Sequence, residues 1–167
     1  MEYIDESILM LRHKNISYMA AKEKTELFFD GLIEMVLPDD FVDMPQEQIR
    51  ESFISHELPA YIKTKCNGEL TMSLDILDYQ ESLEVLVEQC MQYMKILFPG
   101  SIIYERGNIN GFTGWFDSKV FMGKEIYYKL YFIVAKQGRN VFGSFQCRFV
   151  DYDRWKPQMM RVLNQIS

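Results

Sequence analysis

The sequence predicts an α+β protein: an α/β/α sandwich with a central antiparallel sheet of about six or more strands, flanked by helices near residues 45–57, 78–98 and 153–166. Three observations lead there. Residues 101–150 read as consecutive strands broken by glycine-containing turns, with no helical period between them. Two stretches outside that run repeat apolar residues at helical spacing. Two earlier apolar pairs hinge on Asp30-Gly31 and Asn67-Gly68, which are hairpin signals. Strands joined by tight turns pair antiparallel, and the apolar faces they create need helices to cover them.

In order along the chain, residues 1–24 read as an N-terminal extension ahead of a single domain over 25–167. Ile8, Leu9 and Leu11 suit a short helix there, while residues 17–21 suit an edge strand equally well. The first hairpin, TELFFDGLIEMVLPDDF, turns at Asp30-Gly31, and Pro38 ends its second strand. Met44-Pro45 opens a helix over QEQIRESFISHEL, because proline is tolerated in a first helical turn. Ile49, Phe53 and Leu58 form its inward side, and Pro59 closes it. The second hairpin, AYIKTKCNGELTMSLDIL, is expected to turn through a three-residue loop ending at Gly68. That register groups Ile62 and Thr64 with Leu70, Met72 and Leu74, sets Lys65 against Glu69, and keeps the lysines off the apolar face.

Asp78 with Glu81 makes an acidic variant of the capping box and starts a helix that runs to about Phe98. Leu83, Leu86, Val87, Cys90, Met94 and Leu97 recur along it, and Pro99-Gly100 stops it. Strands follow. With Gly123 ending a three-residue loop, Phe112 and Phe116 share a face with Ile126, Tyr128, Leu130 and Phe132, while Trp115 meets Lys129 on the other. A two-residue turn at Gln137-Gly138 adds Val141, Phe145, Cys147 and Phe149 to the first face. The last helix carries Trp155, Met159, Val162, Leu163 and Ile166 on one side, with Asp151 or Asp153 as its cap.

Composition narrows the function. A hydrophobic content of 48% and an aromatic content of 14% argue for a true core and against disorder. The net charge of −6 argues against nucleic acid and anionic membrane surfaces, which call for basic footprints. The acidic first residues do not read as a secretory signal, and no segment approaches the ~20 apolar residues of a membrane span. Cys66, Cys90 and Cys147 form no CxxC pair, so neither a disulfide framework nor a zinc site is expected. A reducing cytoplasm is the expected setting, and no metal or cofactor is implied.

Candidate reactive groups are few. Cys147 precedes a helix start, but the alternation packs it beside Tyr128 between Phe145 and Phe149, as a small apolar side chain. His13 and His56 belong to no triad pattern. Asp39-Asp40 and Asp151/Asp153 lack calcium-loop spacing, and ERGNINGFTG is a turn between strands rather than a phosphate cradle. The face opposite Cys147 is more suggestive. There Trp115, Tyr127, Lys129, Tyr131, Phe142 and Arg148 interleave aromatics with charge, as binding surfaces do. Either that face is open to a partner, or a helix or the N-terminal extension covers its aromatics.

The stretch GLIEMVLPDDFVDM and the closing GSFQCRF…YDRWKPQMMRVLNQI resemble the PsbP-like superfamily over roughly residues 25–167. The superfamily includes photosystem PsbP proteins, Ran-binding Mog-type factors, bacterial DcrB-type proteins and adaptors of secreted effectors. Trp155, Pro157 and residues 163–166 take the places of its aromatic-x-Pro step and final helical turn. The resemblance implies an α/β/α sandwich whose members act by binding partners rather than by chemistry. No family binding residue carries over, because members differ in partner and surface. The expected function is therefore a non-catalytic protein-binding or adaptor domain whose partner is another protein, with homo-oligomerisation also open. The alternative is a small-ligand protein with a pocket between sheet and helix and weak enzymatic activity.

Overall fold

The computed structural model describes residues 23–53 and 58–167. Strands β1 (Glu23–Phe28) and β2 (Ile33–Pro38) precede β3 (Val42–Asp43), helix α1 (Gln46–Ser52), β4 (Tyr61–Lys65) and β5 (Leu70–Leu77). Helix α2 (Leu83–Leu97) leads into the meander β6 (Ile102–Ile109), β7 (Thr113–Met122), β8 (Glu125–Lys136) and β9 (Arg139–Arg148), and α3 (Tyr152–Asn164) ends the chain. Seven strands form one antiparallel sheet in the order β3-β4-β5-β9-β8-β7-β6, and β1-β2 form a separate hairpin.

One face of the sheet carries the larger core. Leu70, Met72, Leu74, Leu130, Phe132, Val141 and Phe145 meet Ile33, Met35 and Leu37 of the hairpin and Trp155, Met159, Val162 and Leu163 of α3. Alternation along β2 explains the hairpin's role: Ile33, Met35 and Leu37 are buried while Glu34 faces out. The other face is covered by α2, whose Leu86 and Val87 pack on Phe116, Tyr131 and Ile133. Hairpin and α3, sheet, and α2 thus make three layers. Phe132 lies across Gly143 of the neighbouring strand, where an added Cβ would sit 2.1 Å from the ring. Only glycine leaves room for that ring.

Turn geometry decided which face each strand presents. The Gln137-Gly138 turn has the expected two residues, so Tyr128 lies opposite Cys147. The turn at Gly123 is one residue shorter than expected, because Met122 pairs with Glu125 and leaves Gly123-Lys124 as the loop. Gly123 has φ of 64°, the left-handed conformation that short hairpin loops ask of glycine. The shift puts Trp115 and Asp117 on the Cys147 face and sends Phe116 to the α2 face, opposite Tyr131. Hydrophobic pattern could not reveal this, since six consecutive residues of β7 from Thr113 are buried whichever way they point.

The second hairpin also departs from expectation. Lys65 pairs with Leu70 across a four-residue loop, so Tyr61, Lys63 and Lys65 share the core face while Ile62 and Thr64 turn away. Both lysines find partners outside the hairpin. The Lys63 ammonium bonds Glu26 of β1 and Asp43 of β3 and lies 5.9 Å from the Phe28 ring centroid. Burial alone would push this lysine's pKa down, but the bonds from Asp43 and Glu26 outweigh it and hold it above the usual value. Lys65 lies 5.4 Å from the Trp155 ring and 3.4 Å from Asp40.

The helices start and stop differently from the pattern-based bounds. Helix α2 begins at Leu83 rather than 78, because Ser82 accepts the Val85 N–H and supplies the cap. Helix α1 buries none of its residues: Ile49 and Phe53 are half-buried, Leu58 is exposed, and residues 54–57 lie outside the described residues, as do residues 1–22. Asp151 occupies the cap position of α3 but makes no capping bond, because its carboxylate pairs with Arg148.

Two outcomes test this packing. Gly143→Ala, which forces Phe132 aside, is expected to lower unfolding free energy by about 2 kcal/mol in urea titration. Lys63→Met leaves the Glu26 carboxylate without its cation and is expected to cost about 2 kcal/mol, with Glu26→Gln in the same chain recovering most of it. An additive double variant would remove the pair from the account.

Candidate functional site

Strand β6 stands at one end of the sheet order, so among the described residues its outer side has no strand partner. Its path is set from beneath. Asp117 of β7 is fully buried and accepts the Glu105 N–H at 2.9 Å, the Tyr128 hydroxyl at 2.6 Å and the Lys156 ammonium at 2.8 Å. Glu105 sits in a break of the β6 ladder between Ile103 and Arg106. Beyond that bulge, Arg106 through Ile109 pair regularly with Phe116 through Thr113. The Trp115 ring lies against Gly107, 2.7 Å from where a Cβ would stand, which seats the edge strand on the core.

Between this regular part of β6 and the first half of α2 lies an open groove of about 500 Å³. Leu83, Val85 and Val87 form its apolar wall, Glu84 and Glu88 its acidic helix side, and Arg106, Gly107 and Asn108 its strand side. Gly114 lies at the floor, where Val87 and Leu83 of α2 pack into the space a Cβ would need. Arg106 bridges the groove to Glu88 at 2.9 Å. A hydrogen bond from Gln92, helped by Arg106, holds the Glu88 carboxyl below the usual range. Glu84 has no ion pair among the described residues. Val85 is 39% exposed, an apolar side chain presented to solvent at the groove wall.

The residues singled out in the sequence divide between two places. Tyr127, Lys129, Tyr131, Phe142 and Arg148 do share one face of β8 and β9. Trp115 does not join them: the shorter turn at Gly123 carries it to the opposite face, where it is buried in the main core. Tyr131 is also buried, stacked on Phe116 at 4.9 Å and Phe142 at 6.1 Å beneath α2. Burial raises its hydroxyl pKa. Arg148 is exposed and tied to Asp151 at 2.9 Å. Helix α2 covers Tyr131 and Phe142, so these two aromatics are not bare. Lys129 is half-buried under the Phe98 ring at 4.6 Å, with no ion-pair partner among the described residues, and burial pushes its pKa down to about 8.

Sequence pattern missed the groove because its residues look like ordinary surface positions. Glu84, Val85 and Glu88 sit on the outer turns of an amphipathic helix, and Arg106 and Asn108 on a short polar strand. Gly107 and Gly114, two glycines within a strand pair, were the available signal.

Cys147 is buried beside Tyr128, and burial, with Asp151 adding to it, pushes its thiol up to about 12. Burial also raises Cys90, whereas Cys66 is exposed. His13 and His56 lie outside the described residues. Asp40 pairs with Lys65, and no group of three or more His, Cys, Asp or Glu among the described residues is placed to hold a metal. No helix among them is long and apolar enough to cross a membrane.

A mild thiol reagent at pH 8 is expected to modify Cys66 first and to leave Cys147 unmodified until the protein unfolds, read by mass spectrometry of peptides. Lys129 gives a pH signature. Its folded pKa lies below the ordinary 10.5, so between pH 8 and 10 the unfolded chain holds more protons and stability rises with pH. Lys129→Met should raise the urea midpoint at pH 7 and flatten that rise.

No protein-family profile matches the sequence, and no curated protein matches it. Solved structures do match. The cyanobacterial PsbP (CyanoP) of Synechocystis sp. PCC 6803 aligns with a TM-score of 0.62 over 88% of this chain and 92% of its own, at 10% identity. The Ran-binding protein Mog1p of Saccharomyces cerevisiae aligns at 0.58 over 87% and 94%, at 9% identity. LpqN of Mycobacterium tuberculosis, involved in cell envelope biogenesis, aligns at 0.55 over 91% and 95%, at 13% identity. Near-complete coverage of both chains, with the same strand and helix layers, shows that this chain has the PsbP-like fold.

Proposed function

We propose that the protein is a non-catalytic binding domain that takes an extended segment of a partner protein alongside β6, in the groove under α2. One observation carries the reading: an edge strand with a regular stretch at Arg106–Ile109 runs directly beside an apolar-walled groove. An edge strand offers unpaired N–H and C=O groups, and a neighbouring groove can take alternate side chains of an added strand. The fold likeness fits a binding role, since Mog1p is described as Ran-binding. The packing of α2 on Tyr131 and Phe142 favours this groove over the aromatic face of β8 and β9.

A small ligand is the second reading. The groove's volume of about 500 Å³ lies within the range of small-molecule sites. Its openness along a strand edge favours an extended segment instead.

Peptides selected from a display library on the purified protein test the first reading. Binding is expected to shift amide resonances of residues 106–109 and 83–88. Val85→Arg, which fills the groove mouth without touching the core, should weaken binding about tenfold. Shifts confined to another surface would sink the reading, and a small molecule co-purifying in native mass spectrometry would favour the second.

A further inference from the structure

We propose that the open end of the Cys147 face, around Lys119, is a second docking surface. It takes an apolar segment of a partner protein that carries a carboxylate between its apolar side chains. This surface lies apart from the groove under α2 and does not depend on strand addition there.

Its position follows from register. Alternation along β7 puts Lys119 and Phe121 on the face that holds Trp115 and Asp117. Ile102 of β6 lies opposite Lys119, and Ile126 of β8 lies opposite Phe121, so both point the same way. Helix α3 reaches this face only from Tyr152 onward, where the ring stacks on Tyr128 at 5.4 Å and on Phe149 at 5.1 Å. Ile102, Phe121 and Ile126 are 38–47% exposed, whereas Leu130 and Phe132, farther along β8, are buried. Open apolar side chains on three adjacent strands form one patch, as interaction sites do.

Lys119 decides what can cover that patch. Its ammonium lies 4.4 Å from the Phe149 ring centroid and 5.4 Å from that of Phe121. It has no ion pair among the described residues. Asp117 on the same strand and Asp151 after Phe149 are engaged, the first with Tyr128 and Lys156, the second with Arg148. A purely apolar cover would take the ammonium out of water with no counter-charge, and two ring faces offset only part of that penalty. A carboxylate reaching Lys119 removes it, while apolar neighbours in the same segment bury Ile102 on one side and Phe121 with Ile126 on the other. A second copy meeting this patch about a two-fold axis would bring another Lys119 rather than a carboxylate, which favours a different protein.

Two synthetic peptides test this. Each has a central residue with two leucines on either side, inside serine-glycine ends; one carries glutamate at the centre and the other glutamine. Both are titrated into the full chain and followed by amide shifts. The glutamate peptide is expected to shift residues 102–104, 119–126 and 149–152. It should bind about tenfold more tightly than the glutamine peptide, between the effects of an exposed and a buried pair. Lys119→Met keeps an apolar stem on the rings and removes the charge, so it should abolish that preference with the urea midpoint little changed. Ile102→Ser should weaken both peptides alike.

If both peptides bind alike and Lys119→Met changes neither, the carboxylate assignment is wrong. If neither moves those amides, or the shifts stay within 83–88 and 106–109, the patch is not a docking surface. If Asp5→Asn with Glu6→Gln moves the same amides with no peptide present, the occupant is this chain's own N-terminal extension and the proposal is overturned. It is overturned as well if those amides shift on simple concentration of the protein while light scattering shows a dimer.

Discussion

Asp117 is the constraint on which the exposed half of this protein hangs. A carboxylate with no solvent contact is costly unless every part of it is bonded. Here one oxygen takes the Glu105 N–H, and the other takes the Tyr128 hydroxyl and the Lys156 ammonium. Three elements are tied at one point: the edge strand at its bulge, the neighbouring strand β8, and the C-terminal helix. Burial first, and the bond to Asp117 next, keep the Tyr128 proton in place far above the ordinary tyrosine range. The bulge is therefore held from the core side, and Arg106 to Ile109 emerge from it straight and paired on one side only.

That arrangement links core and surface. The bulge interrupts the part of β6 nearest its start, where a long flat edge would invite indiscriminate pairing. The regular remainder lies beside the wall of α2 formed by Leu83, Glu84, Val85 and Glu88. Trp115 adds to this from below, since its ring against Gly107 fixes the height of the strand over the core. An edge so shortened and so supported is suited to selective strand addition.

Buried charge recurs on the same face of the sheet, in different forms. Lys63 sits among aromatics with carboxylates from two other strands, and Lys65 lies over Trp155 with Asp40 near. On the other face, Lys129 has an aromatic ring but no ion-pair partner among the described residues, and its lowered pKa records the difference. Aliphatic stems make lysine tolerable in a core, but only partners from distant segments make its charge so. A rule that keeps lysines off the apolar face cannot anticipate those partners, so the second hairpin pairs one residue away from the register that rule predicts.

The sequence by itself determined the element order apart from the two-residue β3, the turn at Gln137-Gly138, the packing face of α3 and the burial of Cys147. Each of these follows from local chemistry: turn residues, helical period, strand alternation. It also carried enough of the strand and helix pattern for the PsbP-like resemblance to be named. Only the tertiary structure decided the facing of β7, the placement of Trp115 and Asp117, and the groove. In β7 both faces are buried, so alternation carries no direction and one residue of loop length sets the outcome. The groove is a relation between the outer side of one helix and the unpaired end of a sheet. Neither element shows it alone, because it exists only where α2 crosses the meander beside β6.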